Sequence, residues 1–450
     1  MLSENDNKHK HIDDYRIHDR NELYFSSIDI VVTGICLLGD KLFHSTFLIY
    51  FLVTYFSIRL FYSTIARNFA LLMLLIPNLG VMFIHVAGLS VPILNIFICL
   101  ALLKLVFSFI HEPIKKTYIF IIGFFIVYEW IHAIYYNFKS LLLLFSWSSA
   151  ILYVSLFLLH SKKTYNHQVV VKHFLAGVFI STMYGILDFF DRYGSLLNNN
   201  ATIRFQGGAG DSNYYSMYIM IAMFGMLYVV NRETKKITKI VYPILFVFFI
   251  AFGILSLSRM FLLVVTLMCF LLLIKVLLSV KRSKKLFTFI LVVVSFLTFF
   301  TFYFSEEISS IIELLFSRFT DFIDDPAALT SNRNIIAEQY IQLITSSPIQ
   351  MIFGIGIQDY HLRSGVYLET HNILLELFVV WGVAGFVVFF VFLTAIFRNI
   401  ESPRTLSNTN FIGWLPIVCM GISYMSINAM SNESFFLLLL FAIKNIYEFD

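Results

Sequence analysis

Residues 240–280 read IVYPILFVFFIAFGILSLSRMFLLVVTLMCFLLLIKVLLSV. Two apolar runs, 240–257 and 259–280, stand back to back and meet at Ser258-Arg259 with almost no loop. About 20 apolar residues is the length an α-helix needs to cross the hydrocarbon of a bilayer. The stretch therefore reads as two membrane helices joined by a tight turn.

Runs of the same kind recur in both directions. Candidate spans fall at 25–40, 45–62, 68–86, 89–110, 117–136, 140–160, 172–190 and 213–230 before this pair. After it come 286–304, 371–396, 410–430 and 434–448. Composition agrees: of 450 residues, 59% are hydrophobic, 18% aromatic and only 13% charged, with mean hydropathy +0.80. That is far from a soluble domain. The expected fold is all-α, a polytopic transmembrane helical bundle of about 14 spans (12–14). The divisions are 1–23, a cytoplasmic N-terminal tail; 24–304, a bundle with an outer loop at 191–212; 305–370, a large extracytoplasmic loop containing short helices; and 371–450, C-terminal transmembrane helices. The polar N-terminal residues lack the apolar segment and small-residue cleavage site of a signal peptide. The cysteines, Cys36, Cys99, Cys269 and Cys419, all lie in apolar runs without metal-ligand spacing.

Charge orients the bundle. With these spans, 24 of the 32 lysines and arginines fall on the side of the N-terminus. Such an excess marks the cytoplasmic face, so the two long loops, Asp191–Ser212 and Ser305–Thr370, face outward. In the second loop, Ser331 or Asn332 can cap a helix running to Ile344, and Ser347-Pro348 stops it. Glu306–Phe322 has the apolar spacing of a helix lying on a surface.

Arginines kept on the outer side run against that charge bias and have a stronger claim to a role. Arg204 precedes a span in RFQGGAGDSNYYS, where Gly207, Gly208 and Gly210 permit sharp turns or close approach. Asp211 and Asn213 are placed to cap the next helix. Arg259 sits near the outer interface, where a charge is costly without a partner or ligand. Its planar fork matches phosphate oxygens, the bland alternative being a side chain snorkelling to water. His371 opens a span in ETHNILLELFVVWGVAG. A neutral imidazole there can take a proton from a hydroxyl, or merely sit satisfied at the interface. Arg333, Arg363, Glu369, Asp359 and His361 share its loop. Glu129 and His132, three apart on one helix face, read as a mutual pair, and Asp188 and Asp191 as solvated helix-end residues.

In order, these elements are Arg204–Gly207 ahead of an Asn-starting span, the Ser258-Arg259 turn, Arg333 in a large outer loop, Ser347–Gly356, and His371–Gly385. Together they resemble the O-antigen ligase and polymerase superfamily over about residues 200–390. Ser212 departs from the pattern, since many members have proline there. The resemblance implies an inverting, metal-independent glycosyltransferase with no cofactor. His371 would be the catalytic base on an acceptor hydroxyl. Arg204, Arg259 and Arg333 would bind pyrophosphate, and Asn213, Arg363, Asn372 and Glu376 are secondary candidates. The implied partners are an undecaprenyl-pyrophosphate-linked oligosaccharide, membrane lipid and, optionally, a chain-length regulator, with no nucleic acid. The implied place is the cytoplasmic (inner) membrane, multi-pass, with the active site facing the periplasm or exterior. Within the superfamily the expectation is a Wzy-type polysaccharide repeat-unit polymerase. The alternatives are a ligase passing the glycan to lipid A-core or protein and, from another class, a lipid-linked oligosaccharide flippase.

Overall fold

The computed structural model describes residues 26–86, 89–109, 116–135, 141–160, 166–194, 204–278 (apart from 234 and 236), 333–357, 366, 369–399, 411–428 and 434–448, with isolated positions between 288 and 313. Among these the chain is helical almost throughout. The helices are α1 (26–43), α2 (Thr46–Tyr62), α3 (Ile65–Leu75), α4 (Ile93–Phe109), α5 (Lys116–Tyr135), α6 (Leu141–His160), α7 (His167–Tyr193), α8 (Ser212–Arg232), α9 (Thr238–Leu255) and α10 (Arg259–Leu278). They continue as α11 (Arg333–Thr345), α12 (Pro348–Phe353), α13 (Ile373–Asn399), α14 (Phe411–Tyr424) and α15 (Ser434–Glu448).

Three described helices are long and apolar enough to cross a membrane: α7, α8 and the Ile373–Thr394 part of α13. The 21 residues of α8 rise roughly 30 Å, the thickness of bilayer hydrocarbon. Shorter apolar helices are α2, α3 with the turn that follows it, and parts of α4, α5, α6, α9, α10, α14 and α15. The centre of the bundle is α8, buried without a break from Tyr215 to Val229. It packs against α7, α9, α10 and α14. A helix apolar on all sides belongs in a core.

One stretch departs from the expected pair of spans at 68–86 and 89–110. The helix ends at Leu75, a 3-10 turn follows over Ile76–Val81, and a two-stranded antiparallel hairpin (Phe83–Val86, β1; Leu89–Pro92, β2) precedes α4. Pro77 cannot donate to a helical ladder and its ring clashes with the preceding turn. The turn is also held from outside, because Ser181 Oγ donates to Pro77 O (2.7 Å) and Asn78 Nδ2 to Gly177 O (3.2 Å). Gly80 meets the Gly207–Ala209 turn so closely that a Cβ there would lie 2.4 Å from the Ala209 carbonyl.

Buried charge fastens the start of α1 to the end of α2 and the start of α3. The fully buried Asp29 accepts from Arg59 Nε (2.9 Å), Arg67 Nη2 (2.9 Å) and Tyr55 OH (2.7 Å). Lys104 donates to Leu60 O and Phe61 O at the C-terminus of α2, where the helix dipole favours a cation.

The segment after α12 docks on a break in α13. Gly382 has φ 61° and ψ −168° inside that helix, so nearby carbonyls lose their helical donors. A buried carbonyl must find another donor. Val379 O takes Ile355 N–H (2.9 Å), Val380 O takes Gly356 N–H (2.8 Å), and Trp381 O takes Tyr128 OH (2.8 Å). Gly382 itself has no room for a Cβ, which would stand 2.5 Å from the Ile352 carbonyl. From α5, Glu129 accepts from Ile357 N–H (2.7 Å) and from the Trp381 indole (2.7 Å). His132 Nε2 lies 2.6 Å from Phe353 O and its Nδ1 3.0 Å from Tyr128 O. Both ring nitrogens face backbone carbonyl oxygens. Glu129 and His132 thus clamp the segment after α12 to α13.

Glu129→Leu would leave two buried donors without their acceptor. It should lower stability by about 2–4 kcal/mol, seen as a fall in the thermal midpoint of the detergent-solubilised protein. An unchanged midpoint would show that the clamp carries no stability.

Candidate active site

The first turns of four helices border one cavity of about 400 Å³. They contribute Asn213 from α8, Arg259 and Met260 from α10, Arg333, Asn334 and Ala337 from α11, and Thr370, His371 and Asn372 at the start of α13. Arg204, Leu257, Ser258, Met425 and Ser426 complete the lining. Helix N-termini present the positive end of the dipole, which suits an anion.

Local structure holds Arg204, Asn213 and Asn372. The Asp211 carboxylate caps α8 by accepting from Asn213 N–H (2.8 Å) and Tyr214 N–H (3.0 Å). That frees the Asn213 amide, whose Oδ1 accepts from Arg204 Nη2 (2.8 Å). Arg204 Nε donates to Ser256 O (3.0 Å), so the guanidinium is pinned between α8 and the end of α9. Arg259 opens α10 two residues after Leu257, which has φ 51°. Arg333 opens α11. A cation at a helix start works against the dipole, so neither arginine is placed there to stabilise its helix.

His371 also has positive φ, 49°. Three described non-glycine residues do so, and two of them, Leu257 and His371, line this cavity. Backbone held in a sparsely populated region gathers at functional sites. The constraint on His371 is a hydrogen bond from its N–H to Asn428 Oδ1 (2.9 Å). Asn428 O in turn accepts from Tyr214 OH (2.6 Å). Asn372 caps α13 through Leu374 N–H (3.0 Å) and Leu375 N–H (3.2 Å).

Electrostatics set the state of the histidine. Burial lowers the His371 pKa below the usual 6.5, the Arg333 charge lowers it further, and Asp211 offsets part of this. The ring is therefore neutral at pH 7, able to accept a proton. Burial also lowers the Arg333 pKa, against Asp211, and a guanidinium still stays charged.

Of the residues singled out in the sequence, Arg204, Arg259, Arg333, His371, Asn213 and Asn372 meet at this cavity. Glu376 does not line it and is fully buried one turn further along α13. Arg363, His361, Asp359 and the 306–322 surface helix fall outside the described residues, apart from isolated positions. Asp211, Thr370, Asn334, Ser426 and Asn428 were not singled out for this site. Asn428 left a signal, the polar pair Ser426 and Asn428 inside the expected apolar span 410–430. Among the described residues no cluster of His, Cys, Asp and Glu is arranged to hold a metal ion.

Residues 244–390 match the family model described as O-antigen ligase. The match covers about a third of the chain and supports the resemblance to the O-antigen ligase/polymerase superfamily. That segment supplies Arg259, Arg333, His371 and Asn372, whereas Arg204 and Asn213 reach the cavity from ahead of it. No curated protein matches the chain significantly.

A histidine acting as base must be neutral, so activity should be present above its pKa and lost as pH falls through it, below 6.5. Arg333→Gln removes one lowering cause, and the acid limb of the rate profile should then move up towards 6.5. An acid limb unmoved by this substitution would show that His371 does not set it.

Proposed function

We propose that the protein is an inverting glycosyltransferase of the cytoplasmic membrane, a repeat-unit polymerase acting on undecaprenyl-pyrophosphate-linked oligosaccharides. The observation that carries this is the meeting of Arg204, Arg259, Arg333 and His371 at one cavity, with helix N-termini around it. The superfamily acts on lipid-linked glycans, and such a substrate presents the anion and the hydroxyl that this set suits.

In the proposed step, the acceptor sugar hydroxyl attacks the anomeric carbon of the donor. The new glycosidic bond forms as the bond from that carbon to the pyrophosphate oxygen breaks. His371 takes the hydroxyl proton. The three guanidiniums and the helix N-termini stabilise the charge that grows on the departing pyrophosphate. The residues require no metal for this, since guanidiniums supply the positive charge. The products are a lengthened lipid-linked glycan and free undecaprenyl pyrophosphate.

In this reading the chain makes about 14 crossings, its N-terminus is cytoplasmic, and the cavity opens on the outer side with 305–370 as the external loop. The sharper concentration of lysine and arginine on the N-terminal side supports that orientation. A ligase, transferring the finished glycan to lipid A-core or protein, would use the same cavity, and the description of the matched family favours keeping it as the second reading.

Cells lacking the protein, complemented with wild type or with His371→Ala, separate these readings. Single lipid-linked repeat units should accumulate in the deletion and the mutant, while accumulation of full-length lipid-linked polymer would make the protein a ligase. Arg259→Lys should reduce turnover by about tenfold or more, because a point charge does not replace paired donors. Wild-type turnover would reduce Arg259 to an interfacial anchor. Chelation of divalent ions should leave the purified enzyme's rate unchanged, and a loss reversed by one added ion would contradict the metal-free step.

A further inference from the structure

A second cavity, about 370 Å³, lies on the other side of Arg204. Its walls come from the outer end of α7 (Gly185, Asp188, Phe189, Arg192, Tyr193) and from Gln206, Gly207, Asp211 and Ser212. We propose that this cavity is a saccharide subsite, holding the sugar unit next to the bond being made or broken. The proposal rests on the glycosyltransferase reading and extends it to the part of the substrate that the first cavity does not suit.

The two cavities differ in chemistry. The first gathers three arginines and four helix starts and suits an anion. The second sets two carboxylates, Asp188 and Asp211, against two guanidiniums, Arg192 and Arg204, with the Gln206 amide and Ser212 between them. It favours no net charge and offers donors and acceptors together, as a polyol requires. One flank is aromatic, with Phe189 and Tyr193 ring centroids 4.8 Å apart, a surface for the C–H face of a pyranose. The volume falls in the lower part of the usual small-molecule range, roughly 300–1,000 Å³.

The polar groups are fixed in advance. Lys41 of α1 reaches Asp188 (2.9 Å) and Asp191 (2.9 Å), and Arg192 Nε pairs with Asp188 (3.0 Å). Asp211 spends one oxygen on the α8 cap. The same carboxylate is close enough to act on Arg333 and His371. Arg204 borders both cavities. A glycan with its pyrophosphate in the first cavity therefore has the second directly beside it, within electrostatic reach of the base.

The test uses full-length protein in liposomes with lipid-linked glycan extracted from cells lacking the protein. Gln206 and Arg192 are exposed, so Gln206→Ala and Arg192→Ala leave the core untouched. Each should raise KM for the lipid-linked glycan roughly tenfold, one lost hydrogen bond to a polar group, while kcat stays within about threefold. Glycan released from its lipid by mild acid should inhibit wild type and lose that inhibition in the variants. Inhibition by inorganic pyrophosphate should persist in both. Released glycan that is itself elongated marks the acceptor's sugar as the occupant, and glycan that inhibits without elongation marks the donor's. Wild-type KM and undiminished glycan inhibition in both variants would overturn the subsite. Should wild type transfer no sugar at all, the glycosyltransferase reading fails. Calorimetric binding of the released glycan to wild type and to Gln206→Ala then decides the subsite separately, equal binding or none counting against it.

Discussion

The break in α13 at Gly382 is the constraint on which the segment after α12 and the candidate site depend. A helix interrupted inside an apolar bundle exposes carbonyls that no water can satisfy. Here they are taken by the backbone N–H groups of Ile355 and Gly356 and by the Tyr128 hydroxyl. The same exchange fixes the chain that leaves α12, and with it the platform behind α11 and Arg333. The start of α13 carries His371. One helix therefore positions the histidine directly and the arginine through the segment docked on its kink.

The cavity concentrates positive charge at considerable cost. Arg259 and Arg333 both occupy helix starts, where the dipole opposes them, and the Arg204 fork is held by Asn213 and Ser256. Asp211 is a counterweight to Arg333, and it is shared with the α8 cap. A site so biased has its orientation arranged before any substrate arrives, which is the economical route to stabilising charge that appears only during reaction. Burial first, and the Arg333 charge second, lower the His371 pKa. In the proposed reaction, an arginine lining for an anion and a neutral base come from one arrangement.

How the sequence anticipated these features can be followed residue by residue. Arg204, Arg259, Arg333 and His371 stood out because each is an ionisable group where an apolar or outward-facing segment should not carry one, and that signal is local. Pro77 lay inside an apolar run read as a span, but a single proline did not reveal that the chain would turn into a hairpin. What enforces the turn is contact with Ser181, Gly177 and the Gly207–Ala209 segment, roughly one hundred or more residues away. Glu129 and His132 looked like a pair because helical spacing puts them side by side. Their hydrogen bonds to Phe353, Ile357 and Trp381 cross more than 200 positions of sequence. Glu376 followed His371 closely in a motif, yet the helical turn carries it into the interior.

Hydropathy and length by themselves determined that this chain is helical and apolar enough for a membrane, because a backbone in hydrocarbon must satisfy its own hydrogen bonds and a run of apolar side chains records that need locally. The isolated outer arginines and His371 were marked by the same rule, as exceptions to it. Only the tertiary structure decided that they share one cavity, that four helix starts surround it and that Arg204 separates it from a second. Those facts depend on which carbonyls are left open by the Gly382 break and which turns fit against Gly80, and contacts between distant segments leave no periodic trace in the sequence.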